Sequence, residues 1–284
     1  MQAWTTRDSA ELYNIRGWSN GYFDVNEEGN VQLNRFGSDG APIDVKRVVD
    51  DLVRRGLSMP LLLRFSDILK SRVEELCGAF QAKIEEYKYQ GRYQAVMPIK
   101  VNQTRYVVEE LIQYGRGYGL GLEAGSKPEL LVALALLDQP DGLIVCNGYK
   151  DVEYIETALL AQRLGRRPLI IVDRFEELGM IVEASNRLGL KPNIGVRSKL
   201  SSKGSGRWAE SGGDRSKFGL TAAELVQAVE MLEKERMLDR LVCLHFHIGS
   251  QITAIRAVKD ALREATRIYV DLYRMGAPPR GARP

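Results

Sequence analysis

Short apolar runs without polar alternation recur along this chain, each followed by a longer amphipathic stretch, and that repeat constrains the fold more than any other feature. The runs fall at residues 61–65, 93–99, 118–122, 143–146, 169–172, 194–197 and 241–246. The stretches between and after them, at 67–89, 104–114, 127–137, 152–164, 175–188, 222–235 and 254–275, have helical spacing. A strand with no polar alternation is buried on both faces, which requires a parallel sheet covered by helices. Such βα repetition builds either a doubly wound sheet or a (β/α)8 barrel. Near-equal units favour the barrel, and about six of the eight are present. The expected fold is therefore α/β, an incomplete (β/α)8 TIM-type barrel.

The flanks read differently. Residues 1–60 are irregular, with short strands expected at 22–25 and 31–33, turns at Gly29-Asn30 and 37–40, and a helix over 45–55. The expected organisation is an N-terminal segment, 1–60, a barrel portion, 61–275, and an irregular tail, 276–284, which carries three Pro and two Arg and no strand propensity.

Composition excludes several classes. With 284 residues at 44% apolar and 27% charged, the chain is neither disordered nor a membrane bundle. A net charge of +3, evenly spread, gives no reason to expect a nucleic-acid partner. The longest apolar run, 130–137, is far short of the roughly 20 residues that span a bilayer, and residues 1–14 carry no apolar leader core. Cys77, Cys146 and Cys243 form neither a metal pair nor a disulfide framework, so a reducing cytoplasm is the expected location.

Three features bear on chemistry. Lys100 ends the run 93–99, where barrel enzymes place reactive groups; it is either an amine made nucleophilic by a low-dielectric pocket or a surface lysine opening a βα loop. Pro98 argues for a bulge or kink at that strand end. His245 and His247, the only histidines, sit two apart and share one face of a strand. They read as metal ligands, as ring-stacking or proton-transfer groups, or as core histidines. Gly249-Ser250-Gln251 follows, opening a helix where phosphate is commonly bound. A G-x-G-x-x-A match at 119–124 is the strand itself rather than a dinucleotide turn. The segment 197–217, with Lys199, Lys203, Arg207, Arg215 and Lys217 around Trp208, reads as a long loop on the catalytic face or a single-strand nucleic-acid loop.

The segments 96–103 (VMPIKVNQ), 121–127 (GLEAGSK), 145–150 (VCNGYK), 211–219 (SGGDRSKFG) and 245–251 (HFHIGSQ), with Tyr22-Phe23-Asp24-Val25 near the start, closely resemble the biosynthetic arginine decarboxylases. The resemblance runs in order from about Tyr13 to Met275. It implies a pyridoxal-phosphate enzyme of the alanine racemase-like fold, in which the N-terminus lends strands to a β domain. It implies Lys100 as the Schiff-base lysine, His247 against the cofactor ring, Ser250 on its phosphate, and Arg197 and Glu123 lining the pocket. It also implies decarboxylation of L-arginine to agmatine in polyamine biosynthesis, a homo-oligomer, and a magnesium requirement whose ligands the motifs do not name.

Beyond Met275 the family pattern continues into a glycine-rich phosphate loop, a Glu-containing motif and a C-terminal β domain that this sequence lacks. The expectation is an N-terminal fragment with little turnover by itself. The rival readings are a non-catalytic subunit pairing with a full-length decarboxylase, and a metal-dependent barrel hydrolase built on His245 and His247.

Overall fold

The structure, a computed structural model, describes residues 3–34, 41–140, 142–200, 216–249 and 252–277. The chain divides into two compact units, Met1–Gly78 and Ala79–Pro284.

In the first unit, α1 (Thr6–Leu12) starts at a capping box: the Thr5 hydroxyl accepts from Asp8 N–H while the Asp8 carboxylate accepts from Thr5 N–H at 2.7 Å. A short α2 (Ile15–Ser19) leads into an antiparallel sheet of β1 (Phe23–Val25), β2 (Val31–Leu33) and β3 (Ile43–Asp44). The helix α3 (Val45–Arg54) follows, capped by Asp44. Strands at 22–25 and 31–33 and a helix near 45–55 were legible as patterns. The helices α1 and α2 and the two-residue β3 were not, because each is too short to show an apolar period. The turn expected at 37–40 lies outside the described residues.

The run 61–65 is a correction. It joins no strand, and Leu62 stands 78% exposed before α4 (Ser66–Glu86). Apolar residues make a strand only where a neighbour offers backbone partners, and none is paired with it.

The second unit holds one all-parallel sheet: β4 (Val96–Pro98), β5 (Gly121–Ala124), β6 (Leu143–Cys146), β7 (Arg167–Val172), β8 (Ile194–Arg197) and β9 (Leu241–His245), ordered as in sequence. Helices α5 (Arg105–Gly115), α6 (Lys127–Leu136), α7 (Val152–Leu160), α8 (Phe175–Leu188) and α9 (Ala222–Lys234) alternate with the strands, and α10 (Ile255–Arg274) closes the series. Among the described residues no strand joins β4 to β9, so the ring is open. These are six βα units of a (β/α)8 barrel.

Both sheet faces are covered, as the apolar runs require. Ile144, Cys146, Ile170, Val172, Ile194 and Val196 pack into the main core with the helices. The alternate residues Val145, Leu169 and Ile171 form a second cluster on the other face with Val96 and Val242. Pro98 is not a bulge: it pairs in register with Glu123. Its missing N–H is tolerated because β4 lies at the sheet edge.

Candidate active site

The period-2 alternation of the strands selects which residues meet. Helix-side positions end in Ala124, Cys146, Val172 and Val196. The next residue along, or the one between, therefore turns to the opposite face. That places Glu123, Asn147, Asp173 and Arg197 on one face at the carboxyl ends of β5 to β8. His245 ends β9, in register with Arg197, and His247 lies two residues on. Lys100 follows β4 in the tight turn Ile99–Val101. Lys100, Glu123, Asn147, Arg197, His245 and His247 line one cavity of about 840 Å³, within the range of small-molecule sites.

The loops around the cavity are fixed from below. Ser126 caps α6, and Glu129 accepts from Gly125 N–H at 2.6 Å. Asp151 caps α7 by accepting from Tyr154 N–H at 2.9 Å, and Lys127 joins Asp151 and Glu153 at 2.7 and 2.8 Å. The buried Tyr154 hydroxyl donates to the Ala124 carbonyl at 2.7 Å, tying the end of β5 to α7. Gly148 has φ +78°, and a Cβ there would sit 2.4 Å from the Gly125 carbonyl oxygen, so only glycine lets these two loops approach.

Beneath the cavity lies a charge cluster. Lys150 is fully buried and its ammonium donates to the Gly148 carbonyl at 2.5 Å, the Glu177 carboxylate at 3.0 Å and the Asp173 carboxylate at 3.4 Å. Glu177 also accepts from the backbone N–H groups of Lys150 at 3.1 Å and Asp173 at 2.9 Å. Burial pushes the Glu177 carboxyl up, against the pull of Lys150. Asp173 in turn holds Arg197 at 3.0 Å. Arg197 lies over the Phe218 ring at 5.6 Å from its centroid.

The imidazoles are held neutral. Burial, and then the charge of Arg197, push His245 down to about 4, and its Nδ1 is buried without a hydrogen-bond partner among the described residues. His247 is lowered by partial burial first, then by Arg197 and Lys100. Between about pH 4 and the ordinary histidine value near 6.5, the unfolded chain binds a proton at residue 245 that the folded chain does not, so stability drains as pH falls through that window. Urea midpoints at pH 7 and pH 5 check this. His245→Gln should shrink the acid loss by on the order of 2 kcal/mol, and an unchanged loss would contradict it.

Lys100, Glu123, Arg197 and His247, which the resemblance assigns to the site, all line this one cavity. Of the two surroundings considered for Lys100, the structure shows the exposed one, at the opening of a βα loop. Its amine has no hydrogen-bond or ion-pair partner among the described residues. Ser250 lies outside the described residues, as do 201–215 of the long loop and 278–284 of the tail. Among the described residues no group of three or more His, Cys, Asp or Glu is placed to hold a metal ion, so the metal-ligand reading of His245 and His247 finds no further ligands there. Cys146 and Cys243 are pushed up by burial to about 12 and about 11, which leaves neither thiol nucleophilic. The cluster of Lys150, Asp173 and Glu177 went unread in the sequence, although Asp173 follows its strand much as Lys100 follows β4.

Comparison with known proteins decides the family. Residues 71–279 match the family model described as pyridoxal-dependent decarboxylase, pyridoxal binding domain. This chain is a member of the pyridoxal-dependent decarboxylases. A relative named biosynthetic arginine decarboxylase from Gloeobacter violaceus is 55% identical over 98% of this chain and 43% of its own length. The Nostoc protein of the same name is 51% identical over 97% and 41%. The crystal structure of the biosynthetic arginine decarboxylase from Campylobacter jejuni superposes with a TM-score of 0.83 at 38% identity, covering 93% of this chain and 42% of that one. The chain thus spans about two fifths of the length of the relatives it matches.

The cavity fits the cofactor of a pyridoxal-dependent decarboxylase in its donor set. An uncommitted primary amine suits an aldehyde, a guanidinium suits an anion, and flat imidazole suits a ring face. The orphaned Nδ1 of His245 and Oδ1 of Asn147 add polar groups that nothing among the described residues satisfies. No helix among the described residues is long and apolar enough to cross a membrane.

Proposed function

We propose that this chain is the cofactor-holding part of an enzyme that decarboxylates L-arginine to agmatine. The observation that carries the reading is the meeting of the Lys100 amine, unpartnered among the described residues, with His247, Arg197 and Glu123 in one cavity at the carboxyl ends of the strands. The names of the relatives support arginine as the substrate.

When bound, pyridoxal 5′-phosphate supplies an aldehyde that condenses with amines and a ring that takes up the electron pair a departing carboxylate leaves behind. The chain's own residues have separate tasks. Lys100 presents the amine that anchors the cofactor. His247, in the cavity lining, offers its flat face to the ring, and partial burial, then the charges of Arg197 and Lys100, oppose its protonation. Arg197 holds fixed positive charge toward the cavity without needing to move. Glu123 adds one carboxylate to the same cavity. Ser250 is assigned to the phosphate on the HIGSQ motif alone. Cytoplasmic location rests on the scattered cysteines, and a homo-oligomer, a place in polyamine biosynthesis and a magnesium requirement rest on the family resemblance.

The test is covalent mapping. The purified chain is titrated with pyridoxal 5′-phosphate, reduced with borohydride and digested. The reading expects one pyridoxyl group per chain, on the peptide carrying Lys100. Label spread over surface lysines, or gathered on Lys217 in the same cavity, would overturn it.

A further inference from the structure

We propose that Asp173 is a positioning residue for Arg197, with Lys150 and Glu177 holding Asp173 in place. Arg197 stands at the cavity wall with 14% of its side chain exposed, whereas Asp173 behind it is wholly buried. An arginine side chain rotates about several bonds, and holding it in one pose costs conformational entropy unless a partner fixes it. One contact, Arg197 Nη1 to Asp173 Oδ1 at 3.0 Å, ties the guanidinium by one corner and leaves its other donors available to the cavity. The Phe218 ring beneath limits the plane it can adopt.

A lone buried carboxylate would do this badly, since burial favours its protonated form. Here the second oxygen of Asp173 meets the Lys150 ammonium at 3.4 Å, and the Asp173 backbone N–H is held by Glu177 at 2.9 Å. The four groups sum to two cations and two anions, so the interior is compensated while the cation nearest the cavity faces the ligand. Lys150 spends its donors on Gly148, Asp173 and Glu177, and does not line the cavity. The arrangement joins the ends of β6, β7 and β8 to α8, and puts the orientation of a pocket cation under the control of residues that do not line the cavity.

The proposal rests on the reading above only in taking Arg197 to face the cofactor, and its test separates the two. The first readout needs no cofactor: in nitrogen-15 spectra of the full chain, Arg197 should give resolved, slowly exchanging side-chain signals. Those signals should collapse toward the bulk arginine positions in Asp173→Asn, which keeps the shape and removes the charge. The second readout is affinity for pyridoxal 5′-phosphate, followed by absorbance before reduction. Asp173→Asn and Arg197→Lys should each weaken it about tenfold, and the double variant should lose no more than either single one.

Losses that add, or an Arg197 signal indifferent to Asp173→Asn, would overturn the positioning role. If Asp173→Asn does not fold, Arg197→Lys binding like the wild type would overturn it instead, because a point charge without the fork would then suffice. A wild-type chain that binds no cofactor yet keeps the ordered Arg197 signal would sink the proposed function and leave the positioning intact.

Discussion

Lys150→Met should lower the stability of the second unit by about 3–5 kcal/mol, the range expected when one partner of a buried ion pair is removed. The substitution keeps the volume and stem of the side chain, so cavity formation adds little. What remains is two buried carboxylates, Asp173 and Glu177, with only Arg197 to compensate them. Domain stabilities run to about 5–15 kcal/mol, so the loss is a large fraction of the whole. At a slope of about 2 kcal/mol per molar, the urea midpoint should fall by about 2 M. A fall below about 0.5 M would mean that the carboxylates find protons or water at little cost, and that the cluster is not closed as described.

Lys100→Ala should do the reverse. The side chain is exposed and its amine is uncommitted among the described residues, so the urea midpoint should change by an amount equivalent to less than about 0.5 kcal/mol. Covalent capture of the cofactor should instead fall to background after borohydride reduction, a change of at least two orders of magnitude, because no other described lysine combines a place in the cavity with one at the end of β4. Lys217 is the internal control, since it lines the same cavity from the loop side. Capture that persists in Lys100→Ala and disappears in Lys217→Ala would move the anchor and rewrite the site.

The two variants probe lysines that look alike in the sequence. Each follows a short apolar run, and each closes a motif, VMPIK at 96–100 and VCNGYK at 145–150. One is held by three acceptors in the interior and the other by none. Nothing in their local spacing separates these fates, because the carboxylate partners of Lys150 come from residues 173 and 177, on the next strand end and helix.

The same distinction runs through the rest of the molecule. The runs at 143–146, 169–172 and 194–197 became strands with almost the read boundaries, since burial on both faces leaves little freedom in pattern. The run at 61–65 had the composition of a strand and lacked a neighbour. The run at 93–99 shortened to Val96–Pro98, and 118–122 moved to Gly121–Ala124 after a tight turn at Arg116–Tyr118. Ladder pairing, not apolar content, sets where a strand begins.

By itself the sequence determined the βα repeat, the open series of six units, and the motifs that bring Lys100, Glu123, Arg197 and His247 into one account, because apolar period and residue type are local properties. Only the tertiary structure decided that Asp173 stands behind Arg197, that Lys150 is consumed in the interior, and that His245 is neutral. Each of those depends on desolvation and on charges from several strand ends, which meet only once the sheet has formed.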